Sequence, residues 1–145
     1  MEKCAALALD VDVTMTHSDE NTLNTLIQEA TNMGAAVAIN TARPPRWCDR
    51  GADQTTLQFG IDIDKHHCLN HPNPPISKVL NMRTIEENDH VQDSTCVILM
   101  DDRPENIHAV WEHGFSAIYT PTGIDQTHVD TALEKISACC QQQQK

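Results

Sequence analysis

Four strand-length apolar runs punctuate this chain: CAALALD (Cys4 to Asp10), AAVAIN (Ala35 to Asn40), TCVILMD (Thr95 to Asp101) and FSAIYT (Phe115 to Thr120). They alternate with segments of helical spacing, and that alternation constrains the fold more than any other feature. Successive strands and helices joined by short loops build a mainly parallel sheet covered by crossover helices. Between the first two runs, SDENTLNTLIQEATNMG offers Ser18 or Asp19 as a cap, a stripe of Leu23, Leu26, Ile27 and Ala30, and Gly34 as a stop. DRPENIHAVWEHG repeats the logic with Pro104 in the first turn, an Ile107, Val110 and Trp111 stripe, and Gly114 at the end. QTHVDTALEKISACC predicts a last amphipathic helix. The expected class is α/β, a doubly wound, three-layer, Rossmann-like parallel sheet.

The middle is less regular. It predicts a helix after Pro45, a weak strand near His67 to Leu69, and a Pro/Asn-rich turn before the helix ISKVLNMRTIEEN. With 145 residues the chain suits one domain, expected over 1–138, with 139–145 as a disordered tail. A net charge of −11 without a compensating Lys/Arg run opposes a nucleic-acid backbone and an anionic membrane surface. Cys4, Cys48, Cys68, Cys96, Cys139 and Cys140 are scattered without regular spacing, which suggests reduced thiols in a cytoplasmic protein. The start lacks the apolar region of a signal peptide, and no run approaches the roughly 20 residues of a spanning helix.

In doubly wound sheets, ligands bind at the carboxyl ends of the strands. Asp10, Asp12, Thr41, Asp101 and Asp102 all follow directly on apolar runs, so the sheet would gather them along one edge. Three or more carboxylates in one crevice repel and raise one another's pKa unless a cation joins them. Oxygen-only ligands favour magnesium, which keeps several waters and bridges carboxylates to a substrate phosphate.

In order along the chain, DVDVT, AINTARP, the lysine of ISKVLNM and VILMDDRPEN resemble the four motifs of the haloacid dehalogenase (HAD) superfamily of aspartate-nucleophile phosphohydrolases. The resemblance runs from Ala5 to about Ile136 and implies a HAD-like fold. It implies Asp10 as nucleophile, Asp12 as general acid/base, Thr41 as a hydrogen-bond donor to the phosphoryl group and Lys78 as its neutralising cation. Magnesium would bind through Asp10, the main-chain carbonyl of Asp12 and Asp102, with Asp101 in support. Val13 departs from the pattern, since the family most often has glycine there. Lys65 is the alternative to Lys78, and Arg43 could reach a substrate phosphate or a second anionic group. The gaps between the motifs leave room for no sizeable cap, and an open site suits large substrates or a second subunit over the mouth, hence a homo-oligomer.

The implied activity is a magnesium-dependent phosphomonoesterase working through an aspartyl phosphate, on a phosphorylated small molecule or macromolecule end. One alternative is an end-healing polynucleotide 3′-phosphatase, because TAR, DDR and VWEHG are similar to the phosphatase half of viral polynucleotide kinases; the charge counts against it. Another is a non-catalytic phosphate-binding regulatory module on the same fold. Asn106 reads as a helix-start hydrogen-bonder. His66, His67, Cys68 and His71 lack a second ligand pair at zinc spacing. Trp47 and Trp111 read as packing residues.

Overall fold

The computed structural model describes residues 2–41, 68–70 and 73–142. Its sheet has five strands in the order β3-β2-β1-β4-β5, formed by β1 (Ala6–Leu9), β2 (Ala36–Thr41), β3 (Cys68–Asn70), β4 (Val97–Asp101) and β5 (Ser116–Tyr119). Every pairing is parallel, with Ala6 opposite both Ala36 and Val97. β1 and β4 are buried along their whole length, as expected of central parallel strands covered on both faces. The edge strand β5 is only partly covered.

Four helices are described: α1 (Glu20–Asn32), α2 (Ile76–Asn88), α3 (Pro104–Glu112) and α4 (Gln126–Gln142). They pack as two pairs, α1 with α4 and α2 with α3, and these form the outer layers of the doubly wound α/β fold. Asp19 caps α1 by accepting the Thr22 N–H at 3.1 Å, and Leu23, Leu26 and Ala30 turn inward. Gly34 leaves the helix at φ +100°, a conformation that side chains disfavour. None of the helices is long and apolar enough to cross a membrane, among the described residues.

Three expectations need correction. The tail expected from 139 onward is helical through Gln142, with Cys139 and Cys140 buried. The scattered cysteines are not all thiols: Cys4 is bonded to Cys140, and Cys96 to Cys139. Parallel register sets the starts of β1 and β4 side by side, and the last turns of α4 cross them, so residues far apart in sequence meet. Trp111 lies outside the core, 65% exposed and stacked on His108. Asn106 and Val110, four apart, take the inward face of α3 instead. Trp47 and the helix expected after Pro45 lie outside the described residues.

Candidate active site

β1 ends at Leu9 and hands on Asp10, whose N–H donates to the Met100 carbonyl of β4 at 3.0 Å. One turn of π-helix over Val11–Met15 follows. It leaves Asp12 exposed and returns Thr14, fully buried, beneath Asp10. Thr14 Oγ1 donates to Asp10 Oδ2 at 3.3 Å and shares a 3.2 Å hydrogen bond with Thr120 Oγ1. Among the described non-glycine residues, positive φ occurs only at His90, so this turn does not demand a glycine at Val13.

β4 ends on Asp101, also fully buried. Its Oδ1 accepts the Arg103 N–H at 3.0 Å and its Oδ2 accepts Asn106 Nδ2 at 3.2 Å, which ties the strand end to the start of α3. Asp102 is half-buried beside it. From the facing helix α2, Lys78 extends inward with 1% of its surface exposed. Its Nζ donates to Asp10 Oδ1 at 2.7 Å and to the Asn40 carbonyl, and lies 3.1 Å from Asp101 Oδ2. Asn40 Nδ2 returns a 3.0 Å bond to the Lys78 carbonyl, and Asn81 Nδ2 donates to Asn40 Oδ1 at 2.8 Å. A buried lysine on a helix is costly unless paired and hydrogen-bonded, and these partners supply both.

Lys78 is one cation set against two buried carboxylates. Burial pushes the Asp10 carboxyl from 3.8 up to about 7; Lys78 pulls it back and the Asp101 charge raises it further. Carboxylate oxygens of Asp10, Asp101 and Asp102 come within 4.8 Å of one another. Asn106 Oδ1 is buried without a hydrogen-bond partner among the described residues, and Asn106 lines the same cavity. Surplus negative charge, an orphaned oxygen and an all-oxygen donor set fit a hard divalent cation such as magnesium.

The cavity holds about 210 Å³ and is lined by Asp10, Asp12, Pro74, Lys78, Asp102, Arg103 and Asn106. That is below the roughly 300–1,000 Å³ of pockets that engulf a drug-sized ligand, so it suits a headgroup. Thr41, the last residue of β2, is fully buried and is not among the residues lining this cavity. Arg43, Lys65, His66, His67 and His71 lie outside the described residues, as does the side chain of Cys68. Sequence reading missed the supports: Thr14, Asn40, Asn81 and Thr120. Polar residues at buried spacing, such as Asn40 closing an apolar run and Asn81 one helical turn after Lys78, were the available signal.

Across 95% of this chain and 96% of the other, the fold resembles an uncharacterized protein from Corynebacterium glutamicum, with a TM-score of 0.57 and 14% identity. It also resembles a putative HAD-like phosphatase from Mesorhizobium loti, with a TM-score of 0.62 and 14% identity over 96% of this chain and 88% of that one. The fold is HAD-like. No protein-family model matches the sequence, and no curated protein matches it. On this HAD-like sheet, three of the four stretches noted in the sequence meet at one cavity: Asp10 and Asp12 from DVDVT, Lys78 from ISKVLNM, and Asp102 from VILMDDRPEN.

Proposed function

We propose that this protein is a magnesium-dependent phosphomonoester hydrolase whose nucleophile is Asp10. The observation that carries the reading is the fully buried Lys78, bonded to Asp10 and paired with Asp101 at the cavity that Asp12 and Asp102 also line. A structural ion pair gains nothing from two additional carboxylates at the same cavity, whereas phosphoryl transfer uses such an arrangement for positioning and charge neutralisation.

Magnesium would be held by Asp10, Asp102 and the carbonyl of Asp12, and would supply charge neutralisation for the phosphoryl oxygens. An Asp10 carboxylate oxygen attacks phosphorus, and the P–O bond to the leaving group breaks as Asp12 gives that oxygen a proton. Asp12, now a carboxylate, takes a proton from water, which attacks the aspartyl phosphate and returns Asp10 with release of phosphate. Lys78 holds the Asp10 carboxylate in place and favours its charged form, against the desolvation that raises its pKa. Thr14 fixes the other carboxylate oxygen.

The test is phosphate release over a panel of sugar phosphates, nucleotides and phosphorylated oligonucleotide ends, with magnesium or with a chelator. Magnesium-dependent release from at least one class is expected, with phosphate trapped on Asp10. Chelator-insensitive release, or phosphate found on Asp12 or Thr41, would sink the assignment.

A further inference from the structure

Among the described side chains, four cysteines that the phosphatase reading does not use meet at the amino edge of the sheet. Cys4 lies just before β1 and Cys96 just before β4, and the register of Ala6 opposite Val97 makes them neighbours. Adjacent residues of α4 reach one each: Cys140 to Cys4, with Cα atoms 4.8 Å apart, and Cys139 to Cys96, at 5.9 Å. The two strands fastened in this way are the ones that carry Asp10 and Asp101 at their other ends.

The bonds differ in access. Cys96 and Cys139 are 2% and 3% exposed, so that bond is sealed on both sides. Cys4 is only half-buried, and its sulfur rests 3.6 Å from the Met33 carbonyl. Gly34 lies beside it, where a Cβ would come within 3.3 Å of that sulfur.

We propose that Cys4–Cys140 is a site of thiol–disulfide exchange with a dithiol reductant, the outer bond of a clasp whose inner bond is Cys96–Cys139. A thiolate of the dithiol attacks the Cys4 sulfur and forms a mixed disulfide there, and the Cys140 sulfur leaves as a thiolate and takes up a proton. The second thiol of the reductant then displaces Cys4. The reductant ends as a disulfide, and two electrons and two protons have passed to Cys4 and Cys140. The outer bond spans 136 residues of sequence and the inner one 43, so opening the outer bond releases the longer loop. The inner bond still holds α4 to β4 at this stage, and opening is therefore stepwise.

The experiment uses the full chain purified without reductant and treated with dithiothreitol in one arm and a thioredoxin-type protein dithiol in the other. Time points are quenched with iodoacetamide, and the labelled cysteines are identified by peptide mass spectrometry. Cys4 and Cys140 are expected to label before Cys96 and Cys139, and the first step should lower Tm by about 5–15 °C. Activity in the dithiothreitol arm alone identifies a small dithiol as the partner, and activity in both arms admits a protein. Simultaneous labelling of all four, labelling of the inner pair first, labelling without reductant, or an unmoved Tm would overturn the proposal. As a second check, Cys140→Ser should label at Cys4 without reductant and melt with the half-reduced wild type; a variant that melts with the fully oxidised protein counts against it. The outcome is independent of whether phosphatase activity is found.

Discussion

At the carboxyl edge of the sheet, burial drives the Asp10 carboxyl up to about 7, whereas at the amino edge the hydroxyl and N–H of Thr95 hold the Asp93 carboxyl below its ordinary 3.8. Both residues flank central strands: Asp10 follows β1, and Asp93 caps the 3₁₀ turn Ser94–Cys96 that enters β4. At the amino edge Asp93 keeps its charge in solvent, and two disulfides staple that edge. The carboxyl edge buries Asp10 and Asp101 around a single lysine and leaves Asn106 Oδ1 without a partner among the described residues. Such an edge costs stability, since buried charge is repaid only by full pairing. The contrast teaches that one sheet can divide its labour, with covalent staples at one end and under-compensated buried charge at the other.

The sharpest way to break this division is Asp10→Asn. It should reduce turnover on the order of 10⁴-fold or more and abolish the phosphoenzyme, while melting no lower than wild type because one buried charge has gone. A large fall in Tm would mean that Asp10 is structural. Asp12→Asn, at an exposed position, should slow hydrolysis by about 10²–10⁴-fold and let phosphoenzyme accumulate, visible by intact-protein mass spectrometry.

Lys78→Met leaves Asp10 and Asp101 facing each other without a cation. It should cost about 3–5 kcal/mol in urea unfolding, with part of the loss recovered on adding magnesium. No recovery would separate the lysine's structural role from the proposed metal site. At the opposite edge, Cys96→Ala combined with Cys139→Ala should cost about 2–4 kcal/mol while kcat at room temperature stays near wild type. A collapse of kcat there would show that the two ends are coupled more tightly than this division allows.

The smallest effect belongs to Asp93→Asn. A carboxyl with a depressed folded pKa contributes stability above its unfolded value of 3.8 and loses it as pH falls through the folded pKa. The Tm gap between wild type and variant should therefore be open at pH 7 and close below about pH 3.8. A gap that widens in acid would contradict the assigned hydrogen bonds from Thr95.

Local pattern was enough to place the strands and most helices. The runs AAVAIN and TCVILMD overlap β2 and β4, which begin one and two residues later, and the Pro/Asn-rich turn before ISKVLNMRTIEEN marks the start of α2 at Ile76. Apolar periodicity and caps act over a few residues, and the sequence displays them openly. The same patterns put Asp10 and Asp101 at strand ends, and parallel pairing does the rest.

What the sequence left open depends on which faces meet. Lys78 Nζ meets Asp10 and the Asn40 carbonyl only through the docking of α2 against the sheet, whereas Lys65, the other candidate, lies outside the described residues. Trp111 extends the apolar stripe of α3, yet Asn106 took the inward face because its amide bonds Asp101. The cysteines looked unrelated because the sequence separation of Cys4 and Cys140 is 136 residues, a distance closed only when α4 crosses the starts of β1 and β4. Local free energies of helix and strand formation are written residue by residue, but pairing across the core is set by the summed burial of whole elements, and only the assembled fold contains that sum.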